Sequence, residues 1–248
     1  MDRDAFALMA DSERDHWWFR GRRDFIERAI AQCTKAVPLP VSPNVLDAGC
    51  GSGGNLGLLA RWAQGGTLFG FEYDAEACAA AQRAGLGTIA SGSLPDGIPF
   101  GDTSFDLIGL FDVLEHLEHP VESLRALRGR LNEQGALVLT VPALQWLWGP
   151  HDEVHNHYRR YSAPTLRAHL ESAGFAVEYL SYMNLLLLPL AIAQRFKERL
   201  FGYQVEALTP SPAVNSLLYN TWRLERAWIP QRTLPLGLSL LAVARPAR

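Results

Sequence analysis

Cysteine is scarce in this chain. Cys33, Cys50 and Cys78 are the only three among 248 residues, and none stands at a metal-ligand or redox spacing. So sparse and odd a set excludes a disulfide framework and fits a reducing compartment. A surplus of one charge is also missing: 23 Lys and Arg face 26 Asp and Glu, for a formal net charge of −3. Without a basic surplus or a long basic run there is no general attraction to nucleic acid, so no DNA or RNA partner is expected. Long hydrophobic runs are absent too. The most apolar stretch, residues 185–193, contains Pro189, leads into Arg195, Lys197 and Arg199, and is shorter than the roughly 20 residues that span a bilayer. Met1-Asp2-Arg3-Asp4 is polar and lacks the pattern of a secretory signal. A cytoplasmic protein is expected, with at most a peripheral membrane contact.

What is present suffices for a core. Hydrophobic residues make up 48% and charged residues 20%, the balance of a globular chain rather than a disordered one. The length fits one large α/β domain with additions. Residues 15–32 read as an amphipathic helix rich in aromatics and arginines, and residues 37–43, with three prolines, as a linker. Strands are then expected at 44–48, 67–71, 104–111 and 136–141, alternating with helices at 55–62, 75–84 and 121–131. Such alternation argues for a mostly parallel sheet with helices on both faces. A helix at 164–173, a strand from 174 through 179 and a last strand at 236–243 complete the pattern. Helical patterns around 185–200 and 214–228 make the segment between those last strands a helical cap, since a structureless loop of that length would be unusual.

The densest chemical signal is Val45-Leu46-Asp47-Ala48-Gly49-Cys50-Gly51-Ser52-Gly53-Gly54-Asn55. A strand that ends in a glycine turn places a ligand at the carboxyl edge of the sheet, and glycines there let the ligand approach the backbone. Glu72 ends the next strand, where a carboxylate can take both hydroxyls of a ribose. Gly49, Gly51 and Gly54, with an acid about 20 residues on, also satisfy the dinucleotide fingerprint, so a nicotinamide cofactor competes. Asp47 tilts the choice. A carboxylate just ahead of the loop repels a pyrophosphate but suits a ligand bearing an amine and a sulfonium.

The same run closely resembles the first motif of class I S-adenosylmethionine methyltransferases. Ile98-Pro99-Phe100 with Ser104-Phe105-Asp106-Leu107, Asp112-Val113-Leu114-Glu115-His116, and Gly135-Ala136-Leu137-Val138-Leu139-Thr140-Val141-Pro142 resemble later motifs of that family, in its order. The resemblance covers residues 44–177 and is closest to the ubiquinone- and menaquinone-biosynthesis subgroup, type 11. It implies S-adenosylmethionine as cofactor and S-adenosylhomocysteine as product. It implies that Asp47, Gly49, Cys50, Gly51, Gly53 and Asn55 line the methionine end, that Glu72 holds the ribose and that Tyr73 lies beside the adenine. Ser93 and Leu94 occupy the adenine-edge loop, where the family often carries an acid, and Phe111 and Asp112 lie under the reacting part of the ligand. His16-Trp17-Trp18-Phe19-Arg20-Gly21-Arg22-Arg23 resembles an aromatic and arginine segment of the subgroup. By that likeness Arg22 pairs with the methionine carboxylate and Trp18 faces the acceptor; alternatively the helix simply packs on the sheet.

Three of the seven histidines fall in Pro150-His151-Asp152-Glu153-Val154-His155-Asn156-His157-Tyr158-Arg159-Arg160-Tyr161. Methyl transfer needs alignment, desolvation and removal of the acceptor's proton, and imidazole suits the last task. His151, Asp152, His155 and His157, with His116 near the methyl, are therefore the candidate catalytic set. Arg159, Arg160 and Tyr161 are candidate acceptor contacts, the arginines for a phosphate or carboxylate. His151 and His155 nearly spell a zinc-protease helix, but Pro150, the lack of an apolar helical face and the two arginines oppose it, and no metal is assigned. A polar loop whose histidines bind carbonyls is the plainer reading.

The expected fold is a doubly wound, Rossmann-like, seven-stranded, mostly parallel sheet with its last strand antiparallel. Residues 1–36 form an N-terminal helical cover, 37–182 and 234–248 the methyltransferase domain, and 183–233 the cap insertion. The expected reaction is methylation of a small or lipid-like acceptor at oxygen or carbon, by a monomer or homodimer. A nicotinamide-dependent oxidoreductase and a non-catalytic cofactor-binding or membrane-associating module are the competing readings.

Overall fold

The computed structural model describes residues 15–201 and 210–247. The polar opening at Met1–Asp4 and part of the cap lie outside the described residues. Seven strands form one sheet: β1 (Asn44–Ala48), β2 (Thr67–Glu72), β3 (Thr88–Ser91), β4 (Phe105–Phe111), β5 (Leu131–Pro142), β6 (Phe175–Met183) and β7 (Ser239–Pro246). Their order is β3-β2-β1-β4-β5-β7-β6. β1 runs parallel to β2 and β4, and β4 parallel to β5, whereas β7 is antiparallel to both β5 and β6. The central strands read as continuous apolar runs because helices cover both faces: Val45, Leu46 and Ala48 in β1, and Leu107, Ile108 and Leu110 in β4, are fully buried. The order reverses between β1 and β4, so their carboxyl ends open a crevice, the usual ligand position of such sheets.

The helices are α1 (Trp17–Ala36), α2 (Leu56–Leu59), α3 (Ala75–Arg83), α4 (Pro120–Arg128), α5 (Pro150–Val154), α6 (Ala163–Ser172), α7 (Leu188–Phe201) and α8 (Pro212–Arg223). In α1, Phe25, Ile26, Ala29, Ile30 and Cys33 recur at helical spacing and join the core cluster of Val45, Leu107, Val138 and Leu241. The helix thus packs as a layer against the sheet. Trp222 of α8 stacks on Phe25, with ring centroids 5.5 Å apart. At Gly21 a Cβ would lie 2.2 Å from the Trp222 ring, so only glycine admits this approach. Tyr219 donates to Asp24 at 2.7 Å and Trp17 N–H to Asn215 Oδ1 at 2.7 Å. These contacts fasten α8 to α1. Buried Glu225 accepts the N–H groups of Asn184 and Leu186 at 2.7 and 2.8 Å, which holds the start of the insertion.

Three local expectations shift. The helix expected over 55–62 shrinks to the single turn of α2, because Asn55 makes no side-chain cap bond and an uncapped short helix is marginal. The edge strand β3 carries no alternating signal; only Ile89 in it is buried. The last strand begins at Ser239 rather than 236, since at Gly237 a Cβ would lie 2.3 Å from the Met183 carbonyl. The chain crosses there before it pairs.

Candidate active site

At the carboxyl end of β1 the chain turns through Gly49, Gly51 and Gly53, with φ of 74°, 54° and 97°, a region that favours glycine. The first two glycines serve different ends. A Cβ at Gly49 would lie 2.7 Å from Val113 Cγ2, whereas one at Gly51 would meet nothing within 4 Å. Gly49 lets the loop pack against the turn after β4, and Gly51 leaves room above the backbone. Gly49 and Cys50 donate to the Phe71 carbonyl at 2.9 Å, which ties the loop to β2. Glu72 accepts Gly51 N–H on one oxygen and Asp74 N–H on the other, both at 2.9 Å. The predicted ribose ligand is therefore fixed rigidly to the predicted loop. Asp47 is completely buried beneath. The Cys50 side chain points into the core, where burial, then the charges of Asp47 and Glu72, push its thiol far up; only its backbone faces the loop. Tyr73 is 81% exposed on the rim, and Asn55 is buried at the start of α2. Ser93 pairs with Gly97 through two backbone bonds of 3.0 and 2.9 Å, which turns Leu94 back onto the core.

At the end of β4, Phe111 is buried and Asp112 adopts φ 54°, a left-handed conformation that Asp tolerates. Asp112 accepts from Thr140 Oγ1 at 3.0 Å and pairs with Arg22 of α1. The Arg22 guanidinium also lies 4.7 Å from the centroid of the Trp18 ring, a cation–π distance. Arg22 thus reaches the carboxyl end of β4 from α1. Trp18 is packed against the core cluster.

The histidine segment folds back onto this end. Tyr158 N–H donates to the Glu115 carbonyl at 2.8 Å. Pro150 opposed a helix in the sequence, yet α5 begins there, because proline at the first helical position has no donor to lose. Asp152 accepts Gly149 N–H at 2.9 Å, His157 Nδ1 at 2.9 Å and Arg160 Nε at 2.8 Å, and is completely buried. Burial alone would raise its carboxyl, but the His157 and Arg160 contacts outweigh this and hold it well below the usual range. The rings crowd together: His116 and His157 centroids are 4.6 Å apart, His151 and His155 4.2 Å. Burial, then the neighbouring imidazoles, lower His116 and His155 to about 4 and His151 to about 3. Such rings are neutral near pH 7, with an unprotonated ring nitrogen. The ligand atoms of Glu115, His116 and His157 lie within 4.8 Å of one another.

Two of the expected acceptor contacts have partners within the protein. Arg160 donates to Asp152 and to the Ala143 carbonyl, at 2.8 and 3.2 Å. Tyr161 is completely buried in the core, because its backbone bridges to Ala143 and carries the ring inward. Arg159 stays at the surface end, donating to the Glu118 carbonyl at 3.2 Å. Two groups escaped the sequence reading. Buried Glu115 was only a motif landmark, and Arg195 of α7 reaches Asp152 at 3.8 Å from far along the chain. Adjacency to His116 was the available signal for Glu115; nothing local marks Arg195.

A family model described as a methyltransferase domain matches residues 16–180. A "probable S-adenosylmethionine-dependent methyltransferase" of Mycolicibacterium smegmatis is 30% identical over 168 residues, covering 66% of this chain and 61% of that protein. A Mycobacterium tuberculosis protein of the same description is 28% identical, covering 66% and 58%. The match therefore spans about six-tenths of the length of these relatives. Among solved structures, the plantazolicin methyltransferase BpumL, bound to a substrate analog and S-adenosylhomocysteine, has a TM-score of 0.64 at 13% identity, covering 100% of this chain and 91% of that one. The methyltransferase complexed with the Trm112 activator of Haloferax volcanii has a TM-score of 0.62 at 19% identity, covering 100% and 98%. These two likenesses show the Rossmann-like methyltransferase fold. With a family model matching well over half of its length, this chain belongs to the class I methyltransferases, whose cofactor is S-adenosylmethionine.

Proposed function

We propose that the protein transfers the methyl group of S-adenosylmethionine to an oxygen or carbon of a small or lipid-like acceptor. One observation carries this reading: the Tyr158–Glu115 backbone bond draws the histidine segment over the end of β4, one strand from the cradle made by Gly51 and Glu72. Donor cradle and proton acceptors then share one sheet edge. In this reading Asp47, Gly49, Gly51, Gly53, Asn55 and the Cys50 backbone receive the methionine end, and Glu72 receives the ribose. Tyr73, Ser93 and Leu94 border the adenine, and Phe111 underlies the sulfonium. Arg22 exchanges Asp112 for the carboxylate of the ligand.

Bound S-adenosylmethionine supplies an electrophilic methyl. The acceptor loses its proton to a neutral imidazole, His151 or His155, as its electron pair forms the bond to the methyl carbon. With the S–C bonding pair retained by sulfur, the product released would be S-adenosylhomocysteine. His157, oriented by Asp152, lies beside that pair. Exposed Leu190 and Phe196 on α7, with Leu217 on α8, support an amphiphilic acceptor or a peripheral membrane contact, and no described helix is long and apolar enough to cross a membrane.

Calorimetry tests the donor: S-adenosylhomocysteine should bind, reduced nicotinamide dinucleotide should not, and Glu72→Ala should weaken the first by about 100-fold or more. Binding of the dinucleotide alone would replace this reading with an oxidoreductase. Transfer of labelled methyl into cell-extract small molecules and lipids, followed by mass spectrometry, then identifies the acceptor.

A further inference from the structure

We infer that Glu115, His116 and His157 form a site for a divalent transition-metal cation beside the proposed acceptor pocket. Two imidazoles and one carboxylate are a donor set that zinc and its neighbours accept while keeping a coordination position open. Tetrahedral binding at 2.0–2.1 Å requires ligand atoms about 3.3 Å apart. The three ligand atoms already lie within 4.8 Å of one another, and side-chain rotations of the kind buried residues make on binding a metal close the rest.

Three further features favour a cation. First, Glu115 is 1% exposed and its Oε2 has no hydrogen-bond partner. A buried carboxylate oxygen without a donor is costly, and a bound cation would satisfy it. Second, the local positive charges are committed elsewhere: Arg22 to Asp112 and Arg160 to Asp152. Both charges reach the Glu115 carboxyl through space, but no ion pair among the described residues uses Glu115. Third, His157 binds the buried Asp152 carboxylate through Nδ1 at 2.9 Å, which leaves Nε2 as its metal-facing atom. A carboxylate behind the far nitrogen is the usual outer support of a metal-bound histidine.

The near-motif of the sequence, to which no metal is assigned, is not the group the fold assembles. His151 and His155 pack against each other on α5 but belong to no metal-competent group among the described residues. Glu115 and His116 lie in the turn after β4, and only the fold brings them to His157.

The test uses tag-free, chelator-treated protein and does not depend on donor or acceptor. Zinc should bind one-to-one by calorimetry and raise the melting temperature, and cobalt(II) should give the visible absorption of a site with nitrogen ligands. Glu115→Gln and His157→Gln should each weaken zinc binding by more than about 100-fold, and Asp152→Asn, acting through His157, by about 10- to 100-fold. His151→Ala and His155→Ala should bind zinc as the unaltered protein does. Absence of zinc heat and of the cobalt spectrum in the folded, unaltered protein would overturn the assignment, as would loss of binding in the His151 and His155 variants alone. If the Glu115 and His157 variants fail to fold, the thermal shift and cobalt spectrum of the unaltered protein decide. S-adenosylhomocysteine binding in the same samples reports separately on the donor site.

Discussion

The two halves of the ligand edge are built by opposite means. The donor half, after β1 and β2, is mostly backbone: glycines at positive φ, with N–H groups of Gly51 and Asp74 fixed by one carboxylate, Glu72. The histidine half, after β4 and β5, is mostly buried side-chain charge, with Asp152 holding Gly149, His157 and Arg160 and reached by Arg195. A backbone cradle tolerates little change in shape but stores little electrostatic energy. A buried charge cluster is the reverse: removing one member leaves the others desolvated and unpaired. The donor half should therefore fail in binding, and the histidine half in stability.

Asp152→Ala is expected to have the largest effect. It leaves the Arg160 guanidinium buried without its partner, uncaps α5 and frees His157, so unfolding free energy should fall by about 3–5 kcal/mol. Denaturant melts measure this. A loss below about 1 kcal/mol would show that the cluster is not held by buried charge, and the contrast between the halves would collapse.

Glu72→Ala should invert that pattern. Glu72 is only half-buried, and its two acceptor bonds are short loop contacts, so stability should fall by about 1 kcal/mol. Charge-assisted bonds to two ribose hydroxyls contribute about 1.5–3 kcal/mol each, so S-adenosylhomocysteine should bind at least about 100-fold more weakly by calorimetry. Gly51→Ala sharpens the point further. Its methyl meets nothing in the protein, so the cost to folding is the left-handed backbone alone, about 1–2 kcal/mol. The methyl does occupy ligand space, and the affinity loss should exceed the stability loss. Equal losses would mean the cradle lies elsewhere.

This division also explains what was legible in the sequence. The donor half is local: Asp47 and Glu72 sit on adjacent strands, Gly49 to Asn55 follow the first of them directly, and Gly49, Gly51 and Gly53 take the positive φ that favours glycine. The sheet was equally legible, because buried parallel strands are apolar runs, and only the short edge strand β3 escaped. The histidine half depends on contacts distant in sequence. Tyr158 to Glu115, Arg195 to Asp152 and Arg22 to Asp112 span 43, 43 and 90 positions. Nothing near Arg160 or Tyr161 tells a reader that one is consumed by a buried carboxylate and the other lies in the core. Local spacing offers only a near-motif at His151 and His155, which Pro150 and the two arginines oppose, while the fold assembles Glu115, His116 and His157.

The smallest expected effect concerns the thiols behind the donor half. Burial pushes Cys33 from 9.0 up to about 11, and pushes Cys50 higher still. A thiol is nucleophilic as thiolate, so neither should react with iodoacetamide at pH 8 in the folded protein, and both should react once denaturant unfolds it. The sign of the linked stability follows. Folded Cys33 and Cys50 hold their protons more tightly than the unfolded chain, so stability is unaffected below about pH 9 and declines as pH rises above it. Mass spectrometry after alkylation, at pH 8 and again near pH 9.5, checks both steps. Modification of Cys50 at pH 8 without unfolding would mean that the glycine loop opens toward the core, and a cradle that opens cannot hold its backbone donors in place for the ligand.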